Sequence, residues 1–256
     1  MRIRTCLFAF LVSALLRGTA ADADTTTHET TWQGVKRSYI VHMPPSVETS
    51  SPRPLLVLLH GSGRRGKVMI DEWHKLADQQ GFILLAPDSI DPRSWQGPFD
   101  GPGFLRKIVD EVCQAHAIDK SRIYLFGHSS GGHFALIMGL MESEYFAAVA
   151  VHAGAIPSSS ESFVSVATRK IPFAIWAGDR DRAVPSAEVR RTADLLERNQ
   201  FPVRLSLLPR HDHDYYAISA KVNAEAWAFL SAHSLEKPPL YVDHGDRDDA
   251  TPKGTT

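Results

Sequence analysis

Ser129 stands in Gly127-His128-Ser129-Ser130-Gly131, a G-x-S-x-G pentapeptide placed where an apolar run, "SRIYLF", hands over to a second apolar run, "GGHFALIMGLM". A strand-to-helix turn of this composition presents the serine hydroxyl outward on a sharp bend, and glycine at 127 and 131 lets neighbouring backbone approach without a Cβ. A serine hydroxyl is a weak nucleophile at neutral pH. It needs a histidine to take its proton and a carboxylate to orient the histidine. With a nucleophile elbow these partners follow the serine in the order acid, then base. The acid belongs after the run "PFAIWAG", in "GDRDRAVP", where Asp181 at the apex is preferred and Asp179 is read as a brace of the loop. The base belongs after "VRLSLLP", in "RHDHDYY", where His213 stands directly ahead of the closing helix and His211 is the alternative, read by default as a solvated loop residue.

Charge developing on a substrate oxygen needs two backbone amides. Ser130, the residue after the nucleophile, supplies one candidate. Ser62 in "HGSG" supplies the other, with Gly61 second. Trp95 and Trp176 are candidate walls of a substrate pocket. Rival chemistries have weaker signals. "GSGRRGK", Gly61 to Lys67, spells a Walker motif, but Val68 replaces the Ser or Thr that would hold Mg²⁺. His211 and His213 lie only two residues apart with no third ligand cluster in the sequence, so no metal and no cofactor are expected. Cys113 sits at apolar helical spacing in "FLRKIVDEVCQAH" and reads as a core residue.

These side chains must be positioned by elements that the patterning supplies in alternation. "PLLVLLHG", "FILLAPDS", "SRIYLF", "FAAVAVHAGA" and "PFAIWAGD" are unrelieved apolar runs, as expected of strands covered on both faces. Between them "KVMIDEWHKLADQQ", "FLRKIVDEVCQAHAI" and "SAEVRRTADLLERN" have helical spacing. The predicted fold is therefore α/β: a mostly parallel sheet with helices on both faces, one domain over residues 32–234, no large cap, and an early strand around Tyr39–Met43 near a sheet edge. Loops at Ser89–Gly103 and Ile156–Lys170 are long enough to shape a pocket.

Of 256 residues, 43% are hydrophobic and 22% charged, with a formal net charge of −1. That balance supplies no case for nucleic acid or an anionic membrane as partner. Arg2 and Arg4, the apolar run Cys6 to Leu16 and the small residues Ala20, Ala21 and Ala23 predict a secretory signal over residues 1–23, cut after Ala20 or Ala23. The run is about half the ~20 residues a spanning helix needs, so no stable membrane insertion is expected after cleavage, and a secreted or periplasmic location is. Loss of Cys6 would leave Cys113 without a disulfide partner. Residues 235–256, polar and Pro-containing, read as a disordered tail.

Taken together, "GVKRSYIVHMPPS", "PLLVLLHGSG", "GFILLAPDS", "IDKSRIYLFGHSSGG" and "GDRDRAVP" resemble the secreted α/β-hydrolase esterases of the polyhydroxybutyrate depolymerase and feruloyl esterase type, over most of residues 34–232. "DHDYY" is similar to the "DHSYY" segment of the esterase D and S-formylglutathione hydrolase group. The resemblance implies hydrolysis of carboxylic esters by Ser129, Asp181 and His213, and places the base at His213. Two features depart from the depolymerases: Ser62 stands where they commonly have cysteine, and no Trp-Pro-Gly segment follows the histidine. With no separate substrate-binding domain, a small soluble ester is the expected partner rather than an insoluble polymer. A serine peptidase of the prolyl-oligopeptidase type is the nearest alternative, and a silent binding scaffold the second.

Overall fold

The computed structural model describes residues 23–45 and 51–237. The segment read as a secretory signal, apart from Ala23, and the tail from 238 onward lie outside them. The chain runs β1 (Asp24–Trp32), β2 (Val35–Met43), β3 (Arg53–Leu59), α1 (Gly66–Gln80), β4 (Ile83–Pro87), α2 (Gly97–Asp100), α3 (Pro102–Ala115), β5 (Ile118–His128), α4 (Ser130–Met141), β6 (Ala148–His152), a 3₁₀ segment (Ser158–Ser165), β7 (Phe173–Gly178), α5 (Ser186–Arg198), β8 (Val203–Leu208) and α6 (Ser219–Leu230). Eight strands form one sheet in the order β1-β2-β4-β3-β5-β6-β7-β8. β1 pairs with β2 and β2 with β4 antiparallel; from β4 to β8 all neighbours are parallel.

The period of two along each buried strand divides the core. Leu55, Val57 and Leu59 of β3, with Leu125, Val151 and Ile175, join α3 (Phe104, Ile108) and α5 (Leu196) in one apolar layer. Leu56 and Leu58, with Phe126, Ala150 and Trp176, join α1 (Trp73) and α6 (Trp227) in the other. This is why the strands read as continuous apolar runs: each alternate residue meets a different helix layer.

Two expectations about the extent of the fold are corrected: ordered structure begins with β1, ahead of residue 32, and continues past residue 234. β2 lies near the sheet edge as expected, second in the sheet because β1 lies outside it. β1 is polar and threonine-rich, "DTTTHETTW", so it lacked the alternation that marks a half-buried strand; it is held by a tight hairpin with Gln33 at φ 48° and Gly34 at φ 75°. At the other end order continues past 234. Leu235 is 8% exposed, packs in the second layer and donates its N–H to the Ser121 carbonyl at 2.9 Å.

The loop between β4 and α3 is anchored by a buried ion pair. Arg37 of β2 donates to the Asp100 carboxylate, to the Phe99 carbonyl at 2.6 Å and to the Asp88 carbonyl at 2.9 Å, and lies over the Phe104 ring. Asp100, with no exposed surface, also accepts the N–H groups of Ile90 at 3.0 Å and Gln96 at 2.8 Å. Removing one partner leaves the other charge buried and unpaired, a cost of about 3–5 kcal/mol. Asp100→Ala is expected to lower unfolding stability by that amount in urea titration; a loss below about 1 kcal/mol would contradict the anchoring role.

Candidate active site

Ser129 occupies the bend between β5 and α4 with φ 54° and ψ −119°, a conformation L-residues rarely adopt. The glycines around it permit this. A Cβ on Gly127 would lie 2.2 Å from the Gly131 carbonyl oxygen, and one on Gly131 would lie 2.2 Å from that of Leu59 on β3. The turn is fastened by the Ser129 N–H to the His152 carbonyl, 3.0 Å, and by the His133 N–H to the Ser129 carbonyl, 2.9 Å.

The acid and base loops meet this turn as expected. His213 Nε2 lies 2.9 Å from Ser129 Oγ, and its Nδ1 lies 2.7 Å from Asp181 Oδ2. With the proton on Nδ1 donated to the carboxylate, Nε2 is left to accept from the serine hydroxyl. Asp181 is 6% exposed, and its other oxygen accepts the N–H groups of Ala183 at 2.8 Å and Val184 at 2.9 Å. Asp179 is exposed, and its backbone N–H ties the turn to the Leu208 carbonyl of β8 at 3.1 Å. The two loops are also locked to each other. The Arg180 N–H donates to the His211 carbonyl at 2.9 Å, and a Cβ on Gly178 would sit 2.2 Å from the same oxygen. Tyr215, fully buried, donates to Asn223 Oδ1 at 2.6 Å and so anchors the histidine loop to α6.

A cleft of about 810 Å³ opens over Ser129 and His213, with Gly61, Ser62, His128 and Tyr216 among its walls. A Cβ on Gly61 would come within 3.5 Å of that of Ser129, so the β3–α1 loop reaches the nucleophile. That loop is stitched to the β4–α3 loop by the Ser62 hydroxyl donating to the Arg93 carbonyl and by the Gly63 N–H to the Pro92 carbonyl, 2.8 Å. Ser130 opens α4, so its N–H has no acceptor within the helix.

Both tryptophans stand elsewhere. Trp176 has no exposed surface; it faces the α1/α6 layer and donates to Glu225 at 2.8 Å. Trp95 lies outside the cleft lining, stacks on Phe134 at 5.2 Å and donates to the His60 carbonyl at 2.9 Å, supporting the β3–α1 loop from beneath. Cys113 packs against the first apolar layer, and burial raises its thiol pKa.

His211 is half-buried rather than a solvated loop residue. Its Nε2 is buried without a partner, and its ring meets His152 edge-on at 5.5 Å. His152 in turn lies with its Nδ1 3.2 Å from His128 Nδ1, and the His128 ring is 5.0 Å from that of His213. This buried histidine group was missed in sequence; its only signal is that His128 and His152 end adjacent strands in "FGHSSG" and "VAVHAG". Burial, then the neighbouring His213 charge, lowers the His128 pKa to about 4; burial, then His128, lowers that of His152 to about 2. Among the described residues no group of three or more His, Cys, Asp or Glu side chains is placed to hold a metal ion.

The sheet order, the crossing helices and the strained serine turn define an α/β-hydrolase fold. Residues 103–233 match the phospholipase/carboxylesterase family of that fold, and the chain belongs to it. Over 185 residues it is 32% identical to a Nocardia uniformis subsp. tsuyamanensis protein named "Putative esterase NocK", covering 66% of this chain and 52% of that one. It is 26% identical over 140 residues to a Ralstonia pickettii poly(3-hydroxybutyrate) depolymerase, covering 45% of this chain and 29% of that one. The chain thus spans about half the length of the first relative and less of the second. Among solved structures, an S-formylglutathione hydrolase from Agrobacterium tumefaciens superposes with a TM-score of 0.66 at 19% identity, covering 84% of this chain and 97% of that one.

The depressed histidine pKa values have a consequence for stability. An unfolded histidine binds its proton near pH 6.5, whereas His128 and His152 in the fold refuse it until about pH 4 and about pH 2. Their contribution is fully present above pH 6.5 and is lost as pH falls towards those values, at up to about 1.4 kcal/mol per pH unit for each. Urea midpoints are expected to fall between pH 7 and pH 4.5, and His152→Gln to make that fall shallower. Equal slopes in wild type and variant would refute this.

Proposed function

We propose that the protein is a serine carboxylesterase acting on small soluble esters through an acyl-enzyme. The unbroken hydrogen-bonded line from Asp181 through His213 to Ser129 carries the reading. Ser129 Oγ attacks the ester carbonyl carbon while His213 Nε2 takes the hydroxyl proton. Asp181 holds the imidazolium that forms. The amides of Ser62 and Ser130 receive the oxyanion, each such donor being worth about 10²–10³ in turnover. The alcohol leaves with the proton from His213, and water repeats the sequence on the acyl-enzyme, releasing the acid. The relatives named as an esterase and a depolymerase of a polyester support ester rather than peptide bonds. The proposal includes export, resting on Arg2, Arg4 and the apolar run Cys6 to Leu16 ahead of small residues. Among the described residues no helix is long and apolar enough to cross a membrane.

Wild type is expected to hydrolyse p-nitrophenyl acetate and butyrate and to react with a fluorophosphonate probe. Ser129→Ala should lose probe labelling, and both Ser129→Ala and Asp181→Asn should lose roughly 10⁴ or more in kcat. Wild-type turnover by Ser129→Ala would remove that residue from the mechanism. Equal turnover by Asp181→Asn would do the same for the acid.

A further inference from the structure

The cleft over Ser129 carries three guanidinium groups, Arg64, Arg180 and Arg182, all exposed at its walls. Arg64 follows β3, and Arg180 and Arg182 flank Asp181 after β7. In the sheet β3 and β7 lie on either side of β5, whose end presents Ser129, so the cations come from both sides of the nucleophile. Elsewhere Arg37, Arg93, Arg122, Arg169 and Arg191 each reach an acidic side chain. Among the described residues, Arg64, Arg180 and Arg182 reach none within 4.0 Å. Arg64 instead lies 5.3 Å from the centre of the Tyr216 ring, which keeps its head at the cleft.

Two acids, Asp212 and Asp214, share the lining, and neither pairs with these arginines; each holds a backbone N–H of its own turn. Asp212 Oδ1 accepts the Asp214 N–H at 3.0 Å, and Asp214 Oδ1 accepts that of Tyr216 at 3.1 Å. The three arginines outnumber the two carboxylates of the lining, on a chain whose formal net charge is −1. A guanidinium presents a planar fork that matches a carboxylate, and walls of low dielectric strengthen the attraction.

We infer that the preferred substrates are esters that carry a carboxylate on their acyl or alcohol part, and that Arg64, Arg180 and Arg182 are the specificity-determining residues. The inference rests on the esterase reading. Its test compares 4-acetoxybenzoate with 4-acetoxybenzamide, which present the same acetyl ester with and without the charge. The carboxamide withdraws electrons more strongly than the carboxylate, so leaving-group chemistry does not favour the anion. Wild type is expected to show kcat/KM about tenfold or more higher for the benzoate at an ionic strength of about 20 mM, with the ratio shrinking at about 0.5 M salt. The triple variant Arg64→Gln/Arg180→Gln/Arg182→Gln should bring the ratio to about one. A wild-type ratio at or below one, or one that neither salt nor the triple variant reduces, overturns the charge preference and leaves the esterase standing. Failure to cleave either ester above the Ser129→Ala background overturns both readings.

Discussion

Between the nucleophile turn and strand β3 there is room for backbone and nothing else. Gly131 lies so close to Leu59 that a single added carbon would sit 2.2 Å from its carbonyl oxygen, and Gly127 stands in the same relation to Gly131. That close approach lets β5 turn into α4 within one residue. It also gives Ser129 its positive φ, lifts the hydroxyl clear of the sheet and leaves the first amides of α4 facing the cleft. The same crowding recurs at Gly154, where a Cβ would lie 2.8 Å from the Gly132 backbone, so β6 supports the turn from the other side.

Around that turn the protein is built as two interlocked loops rather than three independent side chains. The acid loop after β7 and the base loop after β8 touch through the contact of Gly178 and Arg180 with the His211 carbonyl, so the backbones that carry Asp181 and His213 brace each other. Tyr215 ties the base loop to α6, and the buried histidines fill the space beneath. Burial keeps His128 and His152 uncharged, which spares His213 two positive neighbours. The site thus has uncharged histidines at its floor, while its mouth carries three arginines and two aspartates.

The candidate site was largely legible in the sequence, because it is written in local terms. A serine between glycines at a strand-to-helix junction, an acid after one buried strand and a histidine after the next are each short patterns with a mechanical cause. Ser129, Asp181 and His213 are where those patterns placed them, and so are the parallel strands and their covering helices. Less legible was everything that depends on what lies opposite. Trp176 looks like a pocket residue in one dimension, but the strand's period of two turns it to the α1/α6 layer. Trp95 belongs to the loop that frames the site, yet its hydrogen bond to the His60 carbonyl turns it inward. β1 has no apolar alternation of its own and is a strand because β2 offers it a free edge.

By itself, then, the chain's order of residues determined the element types, the backbone permission for the serine bend, and Ser129 with the two short segments that hold the candidate acid and base. These follow from periodicity and from where glycine alone is allowed. The tertiary structure alone decided which of two neighbouring histidines reaches Ser129, how His128, His152 and His211 gather beneath it, and which arginines stand over it without a carboxylate. Those outcomes are set by loops that meet across three parallel strands, and contact between residues so far apart in sequence has no short-range signature.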